Sequence, residues 1–262
     1  MQEYIKVSLE NGVGTITLNR AEKRNALRRE FIEQVNGALH KLAGDSSLRV
    51  LILKAEGLVF CAGMDLGQMK ERAASPNGAA ELQKDSEVYC QLLTTIFQLD
   101  VPTVAILNGP ALAGGVGLVL ACDLVIASEN TFFMLPEPMR GITAAMVTPL
   151  LIHRVGSGAA TYMLLSGERV AADKALAIGL CHDVVASEQL EVRTSELIQS
   201  ILTGSPAALA ITKQHVHNCS SEVVELVKSS IEISARARET DEAQEGLAAF
   251  LENRKPNWQP AE

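Results

Sequence analysis

Residues 108–118 read Asn-Gly-Pro-Ala-Leu-Ala-Gly-Gly-Val-Gly-Leu, directly after the apolar run TVAIL at residues 103–107 and ahead of a small-residue stretch that reaches Ala121. By length and content the run is a short buried strand; Gly109-Pro110 ends it, and the glycines lead into a helix. Residues 49–66 repeat this order, with the strand RVLILK (49–54), the turn VFCAGMDL (59–66) and then helical spacing. Small residues let a ligand approach the main chain closely. The first turn of a helix supplies unpaired N–H groups and the positive end of its dipole, so each turn is suited to hold a developing negative oxygen. Either turn alone reads equally well as a plain chain reversal. The pair, in order and flanked alike, is far more specific, and neither contains the nucleotide-loop patterns GxGxxG or GxxxxGK[ST].

Working outward, residues 4–9 and 13–18 alternate apolar and polar side chains around Asn11-Gly12, which predicts a hairpin. Leu27, Phe31, Val35, Leu39 and Leu42 lie on one helical stripe, so a helix is predicted from about Ala26. Two more helices are expected at residues 66–72 and 80–99, parted by the turn-rich segment 74–78. Short strands follow at 123–127 and 131–134. Helical signals dominate from Ile142, and from about Leu190 the chain reads as almost pure helix interrupted at Gly204-Ser205-Pro206. The architecture is α/β, strands early and helices late. The helical tail suits an arm packed on the core or on another subunit, and no fixed-period repeat is visible in the residues.

The chain has 262 residues, 47% hydrophobic content and a formal net charge of −8, which excludes general disorder and gives no electrostatic footprint for nucleic acid. No apolar run reaches the roughly 18 residues of a membrane span, and residues 1–8 lack a signal-peptide core, so no membrane partner is expected and the expected location is cytoplasmic. The five cysteines form no CxxC pair and read as small buried residues. His215 and His217 are two apart rather than four, and no metal site is expected.

The sequence resembles the crotonase, or enoyl-CoA hydratase/isomerase, superfamily. The resemblance rests on Leu18-Asn19-Arg20 with Asn25-Ala26-Leu27, on residues 60–66, on the block from Gly109 to Ala121-Cys122-Asp123, on Pro136-Glu137, and on Glu245-Gly246, Phe250 and Arg254-Lys255-Pro256. It implies a spiral of ββα units over residues 1–195, a helical C-terminal oligomerisation region at 196–262, and assembly into a homotrimer or homohexamer. It further implies an acyl-CoA substrate, with coenzyme A as part of that substrate and no permanently bound cofactor. The peptide N–H groups of Met64 and Gly114 map to the family's oxyanion hole. Coenzyme A is expected along Ala62, Met64, Asp65 and Leu66, with Gly114 at the thioester and with Lys23 and Arg24 toward the phosphates; Lys255 is a further basic candidate. Asp65 also reads as a helix cap, and Asp123 as structural.

An oxyanion hole stabilises an enolate but does not create one; a proton shuttle is needed. Glu137 follows the apolar run FFMLP, where desolvation raises a carboxyl pKa toward neutrality, and it matches the catalytic glutamate of hydratases and isomerases. The second glutamate of two-glutamate hydratases is replaced here by Gly117. One carboxylate suffices to move a double bond from the 3- to the 2-position. Yet the Gly114–Leu118 block with Glu137 and Gly141-Ile142 also resembles branched-chain hydratases acting on glutaconyl-type thioesters. Hydration of a 2-enoyl-CoA is the leading expectation. Isomerisation follows, then decarboxylation or thioester hydrolysis; a non-catalytic acyl-CoA-binding protein is the remaining alternative. Arg140 is a candidate for pairing with a second carboxylate on a dicarboxylic acyl group.

Overall fold

The computed structural model describes residues 3–219 and 222–259. Residues 1, 2, 220, 221 and 260–262, which belong to the 1–195 and 196–262 units and to the N-terminal stretch read above, lie outside the described residues. Strands β1 (Ile5–Glu10) and β2 (Val13–Leu18) form the expected antiparallel hairpin, Ile5 opposite Leu18 and Glu10 opposite Val13. Asn11 and Gly12 take φ of 50° and 82°, the left-handed pair a two-residue reversal requires and Asn-Gly adopts at low cost.

The chain then winds in repeating turns. After β2 come α1 (Arg29–Ala43) and β3 (Val50–Ala55), then α2 (Leu66–Ala73) and α3 (Gly78–Phe97). Strands β4 (Thr103–Leu107) and β5 (Ala111–Leu112) precede α4 (Gly114–Ala121); β6 (Leu124–Ser128) and β7 (Phe132–Met134) precede α5 (Val147–Ser166). The large sheet has the order β1-β2-β3-β4-β6-β9 and is parallel beyond the hairpin, closed by β9 (Asp183–Val185). The small sheet is β5-β7-β8, with β8 at Val170–Ala171. Isolated parallel bridges from Cys61 to Ala111 and from Leu27 to Met64 extend this second layer. Each turn therefore gives one strand to the large sheet, one extended contact to the small layer, and a helix, which is the ββα spiral of the crotonase fold. In the first two turns the second strand has shrunk to a single bridge, which is why no repeat is visible in the residues.

The predicted helix starts differ by only a few residues, but the expectation of helix throughout residues 142–190 is incomplete. Two short strands, β8 and β9, fall there around α6 (Ala172–Ala177); at two and three residues they carry too little alternation to read. Phe31, Phe60, Phe133, Leu92 and Leu93 are fully buried between the sheets and helices, a core of the size that holds a chain of this length together. Four of the five cysteines, Cys61, Cys90, Cys122 and Cys181, are buried and Cys219 is exposed.

Beyond α7 (Leu190–Thr203) and α8 (Pro206–Asn218), the tail turns back onto its own core. Helix α9 (Val223–Ala237) packs on α3 and α5, and α10 (Asp241–Leu251) packs on α2 and on the 3-10 turn Glu137–Arg140. That last contact is backbone on backbone: a Cβ at Gly141 would meet Glu242, and one at Gly246 would meet Arg140, each well under 3.0 Å. Asp123 fastens the α4–β6 junction to α8, accepting from the Thr103 N–H at 2.7 Å and pairing with Lys213 at 2.7 Å. No helix among the described residues is long and apolar enough to cross a membrane.

Candidate active site

The two glycine-containing turns meet. A Cβ placed on Gly63 would lie 3.0 Å from the Gly114 nitrogen, and one on Gly115 would run into the Cys61 carbonyl. Glycine is required at both because the approach is main chain to main chain. Leu27 ties the first turn down by donating its N–H to the Gly63 carbonyl at 2.8 Å and accepting from the Asp65 N–H at 2.9 Å. Just ahead of Gly114, Ala113 has φ 50° and ψ −127°, a conformation that is strained for any residue with a Cβ. Its N–H donates to the Met134 carbonyl at 2.9 Å, which holds it there. Among the described residues the N–H groups of Met64 and Gly114 donate to no group of the chain, and both residues line one cavity of about 370 Å³.

Glu137 opens the 3-10 turn that α10 covers and reaches the same cavity. It is 6% exposed, and its Oε2 is buried with no hydrogen-bond partner. Burial pushes its pKa up to about 7, against the opposing pull of a main-chain hydrogen bond and of the Arg238 charge. A carboxyl with such a pKa can give up or take a proton near neutral pH.

Sequence reasoning left open what faces Gly117. Tyr89 of α3 fills that place: a Cβ at Gly117 would fall well under 3.0 Å from its hydroxyl oxygen. Tyr89 is 3% exposed, lines the cavity, and donates its hydroxyl hydrogen to the Gly114 carbonyl at 2.6 Å. Burial holds its pKa well above the usual 10, so the phenol stays protonated. Its one hydrogen is committed to Gly114, and its oxygen lone pairs remain free to accept. Nothing in the sequence marks it, because a tyrosine on an apolar helical stripe reads as a core aromatic.

A second unforeseen group is Arg238, just past α9. It is 7% exposed and lines the cavity with Ser234. Its Nη1 donates to Ser86 Oγ at 3.4 Å, and Ser86 Oγ lies 3.4 Å from Ser234 Oγ. Burial lowers its pKa from the ordinary guanidinium value, while Asp85, Tyr89 and Glu137 pull it back up.

The remaining expected residues divide. Arg24, Ala62, Met64, Leu66 and Gly114 line the cavity together. Lys23 ends the 3-10 turn Ala21–Lys23 beside Arg24 and is exposed. The Asp65 carboxylate caps α2 through the Gln68 N–H at 3.2 Å and pairs with Arg20 at 2.9 Å, so its side chain is taken up structurally. Lys255 is exposed near the end of the chain and is not a lining residue. Arg140 lines the cavity but lies over the Phe250 ring, 4.1 Å from its centroid. His217 stacks on Phe97 and sits 3.4 Å from Asp123.

The sequence model of the enoyl-CoA hydratase/isomerase family matches residues 8–261. The chain belongs to that family. Among proteins of the family, the 2,3-dehydroadipyl-CoA hydratase of Escherichia coli is 34% identical over 260 residues, covering 98% of this chain and 99% of that one. The short-chain-enoyl-CoA hydratase of Clostridium acetobutylicum is 30% identical over 251 residues, 94% of each chain. A crystal structure of an enoyl-CoA hydratase/isomerase from Xanthobacter autotrophicus superposes with a TM-score of 0.88 at 28% identity over the whole of both chains. Enzymes of this family act on acyl-CoA thioesters.

Proposed function

We propose that this chain adds water across the 2,3 double bond of an enoyl-CoA thioester. The observation that carries the reading is the Glu137 carboxyl, buried, near neutral in pKa and unpartnered at Oε2, in one cavity with two free peptide N–H groups. Ionised Glu137 takes a proton from water as the oxygen bonds to C3. The thioester oxygen gathers the displaced electron pair and is held by the N–H groups of Met64 and Gly114. The proton on Glu137 then passes to C2 as the enolate collapses, leaving a 3-hydroxyacyl-CoA and the carboxylate regenerated. Tyr89 stands in the room a second acid at position 117 would need, and its lone pairs accept a hydrogen bond from the attacking water. The hydratase names of the relatives at 34% and 30% identity support the same reading. Arg24, Lys23, Ala62, Leu66 and the Asp65 main chain are the residues we assign to coenzyme A. Exposed Leu165, Ile211 and Val216 support assembly into a trimer or hexamer.

The presence of a single carboxylate favours one other reading, isomerisation, in which Glu137 removes a C2 proton from a 3-enoyl thioester and returns it at C4. Incubating 2-enoyl and 3-enoyl thioesters separately and identifying products by mass, with chromatography against standards to tell the two enoyl isomers apart, distinguishes the two. Formation of 3-hydroxyacyl-CoA from the 2-enoyl substrate is expected. Conversion of 3-enoyl to 2-enoyl thioester with no hydroxyacyl product from either would refute hydration.

A further inference from the structure

Three arginines that the reaction above does not use line the cavity; Arg140 and Arg169 lie over the Phe250 and Phe132 rings, and Arg238 has no such ring partner among the described residues. Arg238 is buried, its one side-chain hydrogen bond among the described residues goes to the neutral Ser86, and it forms no ion pair among them; the Asp85 and Glu137 carboxylates act on it only at longer range. Its neighbour Asp85 is already engaged by Arg29 at 2.7 Å and by Arg72. Desolvating a guanidinium is costly unless an anion or several acceptors compensate it, and a single 3.4 Å hydrogen bond to a serine does not. The Ser234 hydroxyl stands beside it, and both residues reach the acyl cavity from the C-terminal helices. The coenzyme A candidates Arg24, Ala62 and Leu66 come from the other loops of the site, so this cation is placed for the acyl group.

We infer that Arg238, with Ser234, binds a carboxylate at the far end of the acyl chain, so that the preferred substrate is a mono-thioester of an unsaturated dicarboxylic acid. The guanidinium offers its remaining N–H groups to the two carboxylate oxygens and Ser234 adds a hydroxyl donor. Arg140, the candidate named from sequence, is the lesser one because it is already stacked on Phe250. The substrate class rests on the hydratase reading, but the binding of the carboxylate does not.

Binding and turnover separate the two. Calorimetric titration with saturated adipyl-CoA and hexanoyl-CoA, which have no double bond to hydrate, reads the subsite alone. The wild type should bind adipyl-CoA at least tenfold more tightly, and Arg238→Gln should abolish that preference by lowering adipyl-CoA affinity by about the same factor while changing hexanoyl-CoA less than threefold. Arg238→Lys, which keeps the charge and loses the fork, should retain part of the preference. Equal affinity of the wild type for the two thioesters overturns the proposal without any variant, as does an equal loss for both in Arg238→Gln. In turnover, hex-2-enedioyl-CoA should exceed hex-2-enoyl-CoA in kcat/KM by a similar factor. Retained adipyl preference with no water added to either enoyl thioester would refute hydration and leave the carboxylate subsite standing.

Discussion

Replacing Glu137 by glutamine should make the protein more stable at pH 8 and leave it nearly unchanged at pH 4.5. A carboxyl whose pKa rises from 4.5 in the unfolded chain to about 7 in the fold binds a proton more tightly when folded. The folded state is therefore favoured most below pH 4.5, and stability falls as the pH climbs from 4.5 through 7. At roughly 1.4 kcal/mol for each factor of ten in the equilibrium, the ionised form costs the fold about 3 kcal/mol above pH 7. Glutamine mimics the protonated carboxyl in size and cannot ionise, so it escapes that cost. At roughly 2–4 °C per kcal/mol for a domain of this size, the thermal midpoint of Glu137→Gln should exceed that of the wild type by about 6–12 °C at pH 8. The difference should shrink to within about a degree at pH 4.5. Both proteins must be compared at one protomer concentration, because assembly also raises the midpoint. A difference that is flat between pH 4.5 and 8 would mean that Glu137 is not held in a desolvated state, and the physical basis of its catalytic role would fall with it.

For the reaction itself, kcat/KM should rise with pH through an apparent pKa near 7 as Glu137 ionises, and a profile flat from pH 5.5 to 8 would point to another base. Gly117→Glu, which supplies the second acid by sequence, should lower both activity and thermal midpoint by roughly 1–3 kcal/mol of overpacking against Tyr89; adding Tyr89→Ala should recover part of the midpoint, and a single variant as stable as the parent would show that α3 yields. Ala113→Gly relieves a strained φ and should raise the midpoint slightly while lowering kcat, since the strain holds the Gly114 N–H in place; an unchanged kcat would count against that positioning role. Lys213→Met leaves Asp123 without its lysine and should cost about 3 kcal/mol in chemical denaturation, whereas a loss below about 0.5 kcal/mol would show that Thr103 and His217 satisfy Asp123 without it.

The parts of the molecule legible in the sequence are those whose cause is local. A hairpin with Asn-Gly, two strand-glycine-helix turns and a glutamate after an apolar run all carry their physics within about ten residues. Gly117 was also readable, as an absence. What occupies its place was not, because Tyr89 arrives from a helix 28 positions upstream, and a tyrosine on an apolar stripe looks like any core aromatic. Arg238 was hidden for the opposite reason. It lies in a tail rich in charged residues, where an arginine is ordinarily solvated, and only the return of α9 onto α3 encloses it. β8 and β9 escaped because two or three residues cannot display a period of two.

The contact of α10 on the Glu137–Arg140 turn has a consequence for how the enzyme comes into being. Gly141 and Gly246 let the two backbones touch, and Arg238 reaches the cavity from the same returning segment. The two peptide N–H groups and Tyr89 are all translated within the first 114 residues, but the turn bearing Glu137, the proposed proton shuttle, packs on α5 and is covered by α10, made after residue 240. On the ribosome, a nascent chain can lay down the spiral layer by layer while remaining chemically silent. On the role proposed for Glu137, turnover would begin only once α10 has closed on residues made more than 100 positions earlier.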